Sequence, residues 1–186
     1  MRAGGVIVYP TDSCYALGCH IGDKQAMERI QAIRRLDHRH NFTLVCRDLS
    51  EVAQYARVTN ADYRVLKANT PGPYTFILPA TREVPRRLQN PRRKTIGLRV
   101  PDHTVAQALL AELREPLLSS TLLLPGDELP LVDALDIRAR LEHQVDLVID
   151  GGHCGLEPTT VVELKDGEAR VARVGKGAVA PFGGHA

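Results

Sequence analysis

Tryptophan is absent from the 186 residues, and three Phe and five Tyr supply all the Phe and Tyr rings. Recognition of single-stranded bases by stacking on aromatic platforms therefore has little to draw on. No apolar run approaches the ~18 residues of a membrane span. No charged segment followed by an apolar one opens the chain, so no signal peptide is expected. The expected location is cytoplasmic. The four cysteines, Cys14, Cys19, Cys46 and Cys154, make no C-x-x-C pair. Without an export signal they read as reduced thiols, and a disulfide scaffold is excluded. Cys46 ends the apolar run from Phe42 and reads as core. The alternative for Cys14 and Cys19 is a zinc site completed by a histidine. Also missing are the G-x-x-x-x-G-K-[ST] phosphate loop, the G-x-G-x-x-G dinucleotide turn and the G-x-S-x-G nucleophile elbow.

What is present is an ordinary globular bulk with uneven charge. The length fits a single domain, residues 1–186, with 44% hydrophobic and 25% charged residues. The formal net charge of +2 conceals two blocks of opposite sign. Residues 82–99 carry seven cations against Glu83, and residues 112–150 carry nine acids against three arginines. The densest stretch is Pro85 to Lys94, where Arg86, Arg87, Arg92, Arg93 and Lys94 put five cations in ten residues. Such a run attracts polyphosphate or RNA, and its bland counterpart is a solvated surface. Nineteen of the 24 cations are Arg, whose fork matches phosphate and carboxylate.

The pattern alternates strand and helix. Gly5–Tyr9, Tyr15–Cys19, Phe42–Cys46, Tyr74–Leu78, Thr95–Val100, Val145–Ile149, Thr159–Leu164 and Ala169–Val174 read as strands, and Leu117–Leu124 as a strand with a loop. The last two are expected to pair across Lys165-Asp166-Gly167. Asp23, Asp48, Asn60, Asp102 and Asp133 read as helix N-caps, and Pro85–Gln89 as one helical turn. The expected architecture is a single α/β domain with a mixed sheet. His38 and His40 flank Arg39 in a charged loop, a spacing that reads as solvated before it reads as metal-bound.

Polar segments recur at strand ends: Pro10 to Tyr15, Arg34-Arg35, Arg99, Ser119-Ser120-Thr121, Thr159-Thr160 and Arg173. Each alone is equally a capping hydroxyl or a surface charge. Together they suit an anionic ligand with polar groups to read, at the place where α/β sheets bind ligands.

Residues 4–18, ending in Val-Ile-Val-Tyr-Pro-Thr-Asp-Ser-Cys-Tyr-Ala-Leu-Gly, resemble the opening motif of the YrdC/YciO family, PTDT-x-YGLG after an apolar strand. Matching segments follow in the family's order at Thr70–Leu78, Thr95–Pro101, Ser119–Gly126, Pro158–Val162 and Arg173–Gly175. The resemblance implies a twisted mixed sheet with helices on both faces and a concave basic cleft. It implies a threonylcarbamoyl-AMP synthase reaction, from L-threonine, bicarbonate and ATP with Mg²⁺, feeding the threonylcarbamoyl modification of tRNA. No tightly bound cofactor or resident metal is implied. Other tRNA-modification proteins are implied as partners. Carried across, Thr11 would contact threonine as a catalytic residue, with Tyr15 and Thr121 beside it. Arg99, Ser119, Ser120, Thr159, Thr160 and Arg173 would face the nucleotide, and Arg86, Arg87, Arg92, Arg93 and Lys94 double-stranded RNA or tRNA. Family members usually carry a helix before the Gly-Gly strand, so that helix is expected to be missing here.

Two motifs depart from the synthase pattern. Synthases carry K-x-R where this chain has Arg34-Arg35-Leu36, and S-x-N where it has Thr121-Leu122-Leu123. Arg34 keeps a charge at the catalytic position but cannot act as a base. Losing two hydrogen bonds to charged groups costs about 3–6 kcal/mol, or about 10² to 10⁴ in rate if both act in the transition state. These departures resemble the YciO branch. The alternatives are therefore a weakened synthase, an enzyme acting on another acyl-nucleotide or on the modified tRNA, and a non-catalytic RNA-binding module.

Overall fold

A computed structural model describes residues 1–37 and 40–183. The chain runs β1 (Ile7–Tyr9), β2 (Ala16–His20), α1 (Lys24–Arg34), β3 (Thr43–Val45), α2 (Leu49–Tyr55), α3 (Asn60–Asn69), β4 (Tyr74–Pro79), β5 (Thr95–Arg99), α4 (Thr104–Leu113), β6 (Leu117–Thr121), α5 (Ala134–Leu141), β7 (Leu147–Val148), β8 (Thr160–Lys165) and β9 (Glu168–Arg173). One nine-stranded sheet has the order β7-β1-β2-β6-β3-β5-β4-β8-β9. It is mixed: β1–β7, β3–β5 and β4–β8 run parallel, and the remaining neighbours antiparallel.

Several caps act as the sequence suggests. Asp23, Asp48 and Asp133 each accept a backbone N–H at the start of a helix. Two do not. Thr59, not Asn60, caps α3, because its hydroxyl and the Asp62 carboxylate exchange bonds in a capping box. Asp102 caps nothing; His103 occupies the cap position of α4, and the Asp102 N–H donates to Asp12 Oδ2 at 3.0 Å. The β8–β9 pair forms as expected. Asp166 (φ 53°) and Gly167 (φ 83°) both take the left-handed conformation that a two-residue type I′ hairpin needs.

Strand side chains alternate between faces, and the two faces of this sheet differ in chemistry. On one, Leu17, Leu44, Leu118, Leu98, Phe76 and Val162 form a continuous apolar surface. Apolar residues of α1, α2, α3 and α5 cover it, including Met27, Ile30, Val52, Leu66 and Ile137. On the other, a small cluster of Ile7, Tyr9, Ala16, Val45 and Leu117 is covered by Ala106 and Leu110 of α4. Helices thus lie on both faces, four against one.

The rest of the second face has no helix, and its hydroxyls, a glycine and two scattered apolar side chains give a helix little to bury. Ser119 stands opposite Thr43, Thr43 opposite Gly97, Gly97 opposite Ile77, and Thr75 opposite Val161. The Ser119 and Thr75 hydroxyls are already bonded to Tyr9 and Thr159, so they offer a covering helix no apolar contact. The exposed floor of the sheet is therefore written into every second residue of β6, β3, β5, β4 and β8.

Candidate functional site

That floor is the base of a cleft of about 890 Å³, at the upper end of the range for small-molecule sites. Five arginines line it, Arg34, Arg92, Arg93, Arg99 and Arg173, against two carboxylates, Glu128 and Glu163. Low-dielectric walls bearing one sign of charge concentrate anions. Thr11, Tyr15, Ser119, Ser120, Thr121 and Thr159 also line the cleft.

The turn after β1 supplies one wall and holds itself together. The Thr11 hydroxyl donates to the Cys14 carbonyl at 2.6 Å and accepts from the Ser13 N–H at 3.1 Å. Arg99, at the end of β5, forms an ion pair with Asp12 and donates to Ser13 Oγ at 3.2 Å. Both members are buried, with side-chain exposures of 8% and 10%. Lys176 donates to the Asp12 carbonyl. Asp12 therefore joins the turn, β5 and the start of α4 at one point. Gly18 is required beside Tyr9, since a Cβ there would lie 2.9 Å from the Tyr9 ring. That ring crosses β2 so that Tyr9 Oη can meet Ser119 Oγ at 2.7 Å. Burial pushes the Tyr9 hydroxyl up to about 12, keeping it a neutral partner.

Most of the residues expected at the site are brought together, with many hydroxyls already engaged. Tyr15 Oη donates to the Gly152 carbonyl at 2.7 Å and accepts from Gly151 N–H at 3.1 Å, pinning the loop after β7. Ser119 is used by Tyr9 and by the Leu17 carbonyl. Thr159 Oγ1 pairs with Thr75 Oγ1 at 2.8 Å within the cleft. Thr160, expected beside it, points elsewhere. It is fully buried, donates to the Gly177 carbonyl at 2.6 Å and accepts from Gly175 N–H at 2.9 Å, and does not line the cleft. Thr159 lies just before β8 and Thr160 opens it, and the two side chains take opposite sides of the extended backbone. Gly175 is needed there, since a Cβ would meet the Pro158 carbonyl at 2.3 Å. Arg173 lies exposed at the rim and donates to the Thr159 carbonyl at 2.8 Å.

Arg34 reaches in from the last turn of α1. Arg35 follows in the left-handed conformation (φ 50°) and ends the helix. Arg34 Nε donates to the Leu123 carbonyl at 3.0 Å and Nη1 to Ser120 Oγ at 2.5 Å. Ser120 Oγ also lies 3.3 Å from His40 Nε2.

The five cations of the basic segment are split. Asn90 Oδ1 accepts from the Arg92 and Arg93 N–H groups at 3.1 and 2.9 Å, an Asx turn that presents both arginines to the cleft. Arg93 pairs with Glu163 at 2.6 Å, and Arg170 pairs with the same carboxylate. Arg86, Arg87 and Lys94 are exposed but do not line the cleft, and Arg87 donates to the Ile21 carbonyl at 3.1 Å.

All four thiols are free, and burial pushes Cys14 up to about 11 and Cys19 to about 12. Among the described residues no three His, Cys, Asp or Glu side chains group as metal ligands do. The His38 half of the H-x-H pair lies outside the described residues. Among the described residues no helix is long and apolar enough to cross a membrane.

Residues 1–175 match the model of the Telomere recombination family, Sua5/YciO/YrdC. The chain belongs to this family. An uncharacterized protein of Haemophilus influenzae is 61% identical over 183 residues, covering 98% of this chain and 88% of that one. The crystal structure of Escherichia coli YciO superposes with a TM-score of 0.92 at 60% identity, covering 97% and 88%. A threonylcarbamoyl-AMP synthase of Chromobacterium violaceum is 34% identical over 170 residues, covering 90% and 86%. Within the Sua5/YciO/YrdC family the chain is thus far more similar to YciO than to that synthase.

Three functional candidates escaped the sequence reading. Asp12 reads as turn chemistry, and nothing local announces a partner 87 residues away. His40 reads as half of a histidine pair, and its neighbour Ser120 is 80 residues distant. Glu163 reads as one polar residue of a strand, and only the pairing of β8 with β4 brings it to the floor.

Proposed function

We propose that the chain is a YciO-type protein whose cleft binds ATP or an acylated AMP and whose Arg92–Arg93 rim binds duplex RNA, with threonylcarbamoyl-AMP synthesis well below that of the synthases. The observation that carries this reading is the state of Arg34. In the synthases the corresponding motif offers two cations. Here Leu36 removes one, and the other is bonded to the Leu123 carbonyl and Ser120 Oγ. Arg99 and Arg173, the cations expected to face the nucleotide, both line the cleft.

L-Threonine would sit against Thr11, Tyr15 and Thr121, with bicarbonate beside it. The nucleotide phosphates would face Arg99 and Arg173 with Ser119, Ser120 and Thr159. Mg²⁺ would enter on the ATP phosphates, because the cleft offers cations and hydroxyls where a resident ion needs grouped carboxylates. RNA contact would be to phosphates and duplex shape.

Calorimetric titration with Mg-ATP tests the cleft. Arg173→Ala is expected to weaken ATP about tenfold or more, the loss of one hydrogen bond to a charged group. No ATP binding at millimolar concentration, or equal affinity in the variant, contradicts the reading.

A further inference from the structure

Arg34, Ser120 and His40 come from three different elements and meet on the cleft wall. Ser120 is 6% exposed on β6, Arg34 ends α1, and His40 precedes β3. A guanidinium has donors and no acceptor, so Arg34 Nη1, at 2.5 Å, donates to Ser120 Oγ. The Ser120 proton must then go elsewhere, and His40 Nε2 lies 3.3 Å away. For Nε2 to accept, the ring must be neutral with its proton on Nδ1. Burial and the Arg34 charge both push His40 below its ordinary value, against a smaller opposing influence of Asp37. The Phe42 ring packs edge-on to the imidazole at 5.3 Å and fixes its plane. With the ring in that tautomer the donations run in sequence, Arg34 to Ser120 and Ser120 to His40, and polarise one buried hydroxyl.

We propose that Ser120 and His40 are a nucleophile and base, polarised by Arg34, that hydrolyse the acyl-phosphate bond of an acylated nucleotide. This rests on the reading of the cleft as a nucleotide site. The Ser120 proton passes to His40 Nε2 as Oγ bonds the acyl carbon, and the carbonyl electrons move onto its oxygen beside the Arg34 guanidinium. Their return breaks the carbon–oxygen bond to phosphate, and AMP leaves as its anion without needing a proton. Water then attacks the acyl-serine. His40 has by then released the Ser120 proton to solvent, takes one proton from the attacking water, and returns it to Ser120 Oγ as the carbon–oxygen bond to serine breaks and the acid is released. The balance is acyl-AMP plus water to acid plus AMP. A nucleophile held by a base, itself oriented by packing, is the arrangement that activates serine.

The first probe is a fluorophosphonate, which phosphonylates an activated serine whatever its natural substrate. The expected result is a single adduct on the Ser120 peptide, absent from Ser120→Ala and slowed about 10²-fold in His40→Gln, the usual contribution of a general base. The second probe is acetyl-AMP, which the wild-type chain should convert to AMP and acetate, and Ser120→Ala should not. Thermal melting of both variants establishes that they are folded. No adduct in the wild-type chain, or equal labelling in folded His40→Gln, overturns the pair. Labelling without acetyl-AMP turnover overturns the hydrolase assignment. Mg-ATP titration of the same samples separates the two readings: ATP bound without labelling removes only the Ser120–His40 pair, and labelling without ATP binding removes the nucleotide substrate.

Discussion

Asp12→Ala is expected to destabilise the chain by about 3–5 kcal/mol, the cost of leaving one member of a buried ion pair alone. At this size the loss corresponds to a fall in Tm of roughly 10 °C. The reason is the neighbourhood of Arg99. Its residue exposure is 7%, and its Nε is already buried without a hydrogen-bond partner. Among the described residues, removing Asp12 would leave the guanidinium Ser13 Oγ alone as a hydrogen-bond partner, and would also release the Asp102 N–H just before α4. Asp12→Asn keeps an acceptor and should cost less. Asp12→Ala with Arg99→Met should recover part of the loss, because no charge is then stranded. Urea denaturation of the wild-type chain, Asp12→Ala, Arg99→Met and the double variant closes the cycle. A single-variant change under about 1 kcal/mol would mean the pair behaves as a screened surface contact.

Arg92→Ala with Arg93→Ala is expected to weaken duplex RNA binding by roughly 50-fold at 0.1 M salt and to reduce the salt slope by about two, one unit for each lost phosphate contact. The two arginines sit on one Asx turn at the edge of the floor, so a strand of phosphates can meet both. Glu163→Gln should act in the opposite sense. Its carboxylate is shared by Arg93 and Arg170, and hydrogen bonds from Arg170 and then Arg93 hold it below the usual carboxylate range. Neutralising it frees two cations at the rim and should tighten RNA severalfold. Filter binding across a salt series measures all three chains. A slope unchanged in the double variant, or weaker binding in Glu163→Gln, would place the RNA contact elsewhere.

The fold is largely legible in the sequence because its elements announce themselves locally. Asp23, Asp48 and Asp133 stand just before periodic apolar runs and cap helices. Asp166-Gly167 can adopt the positive φ angles that a tight hairpin demands. The failures are also local. Asn60 looks as good a cap as Thr59, and only the reciprocal bond with Asp62 decides between them. Asp102 has the right position for a cap, but Asp12 claims its N–H from a distant turn.

The site was legible in its residue types and less so in their engagement. Arginines and hydroxyls at strand ends did gather around one cleft. The sequence cannot show that Thr160 turns away from Thr159, since both occupy polar positions and only the side-chain alternation of the extended backbone parts them. Nor can it show that the hydroxyls of Thr11, Tyr15 and Ser119 are already bonded to the Cys14, Gly152 and Leu17 carbonyls. Long-range partners decide the chemistry here, and Asp12–Arg99 and Ser120–His40 join residues far apart in the chain.

The most direct measurement is a synthase assay with a comparator. The chain and the Chromobacterium violaceum synthase are incubated in parallel with Mg-ATP, L-threonine and bicarbonate. Threonylcarbamoyl-AMP is followed by mass and pyrophosphate by release, with Thr11→Ala as control. The account predicts that this chain binds ATP yet forms product about 10² to 10⁴ times more slowly than the comparator, the cost of two missing charge-assisted bonds. Thr11-dependent product at the comparator's rate would contradict it, and would mean that Arg34 alone replaces the usual pair.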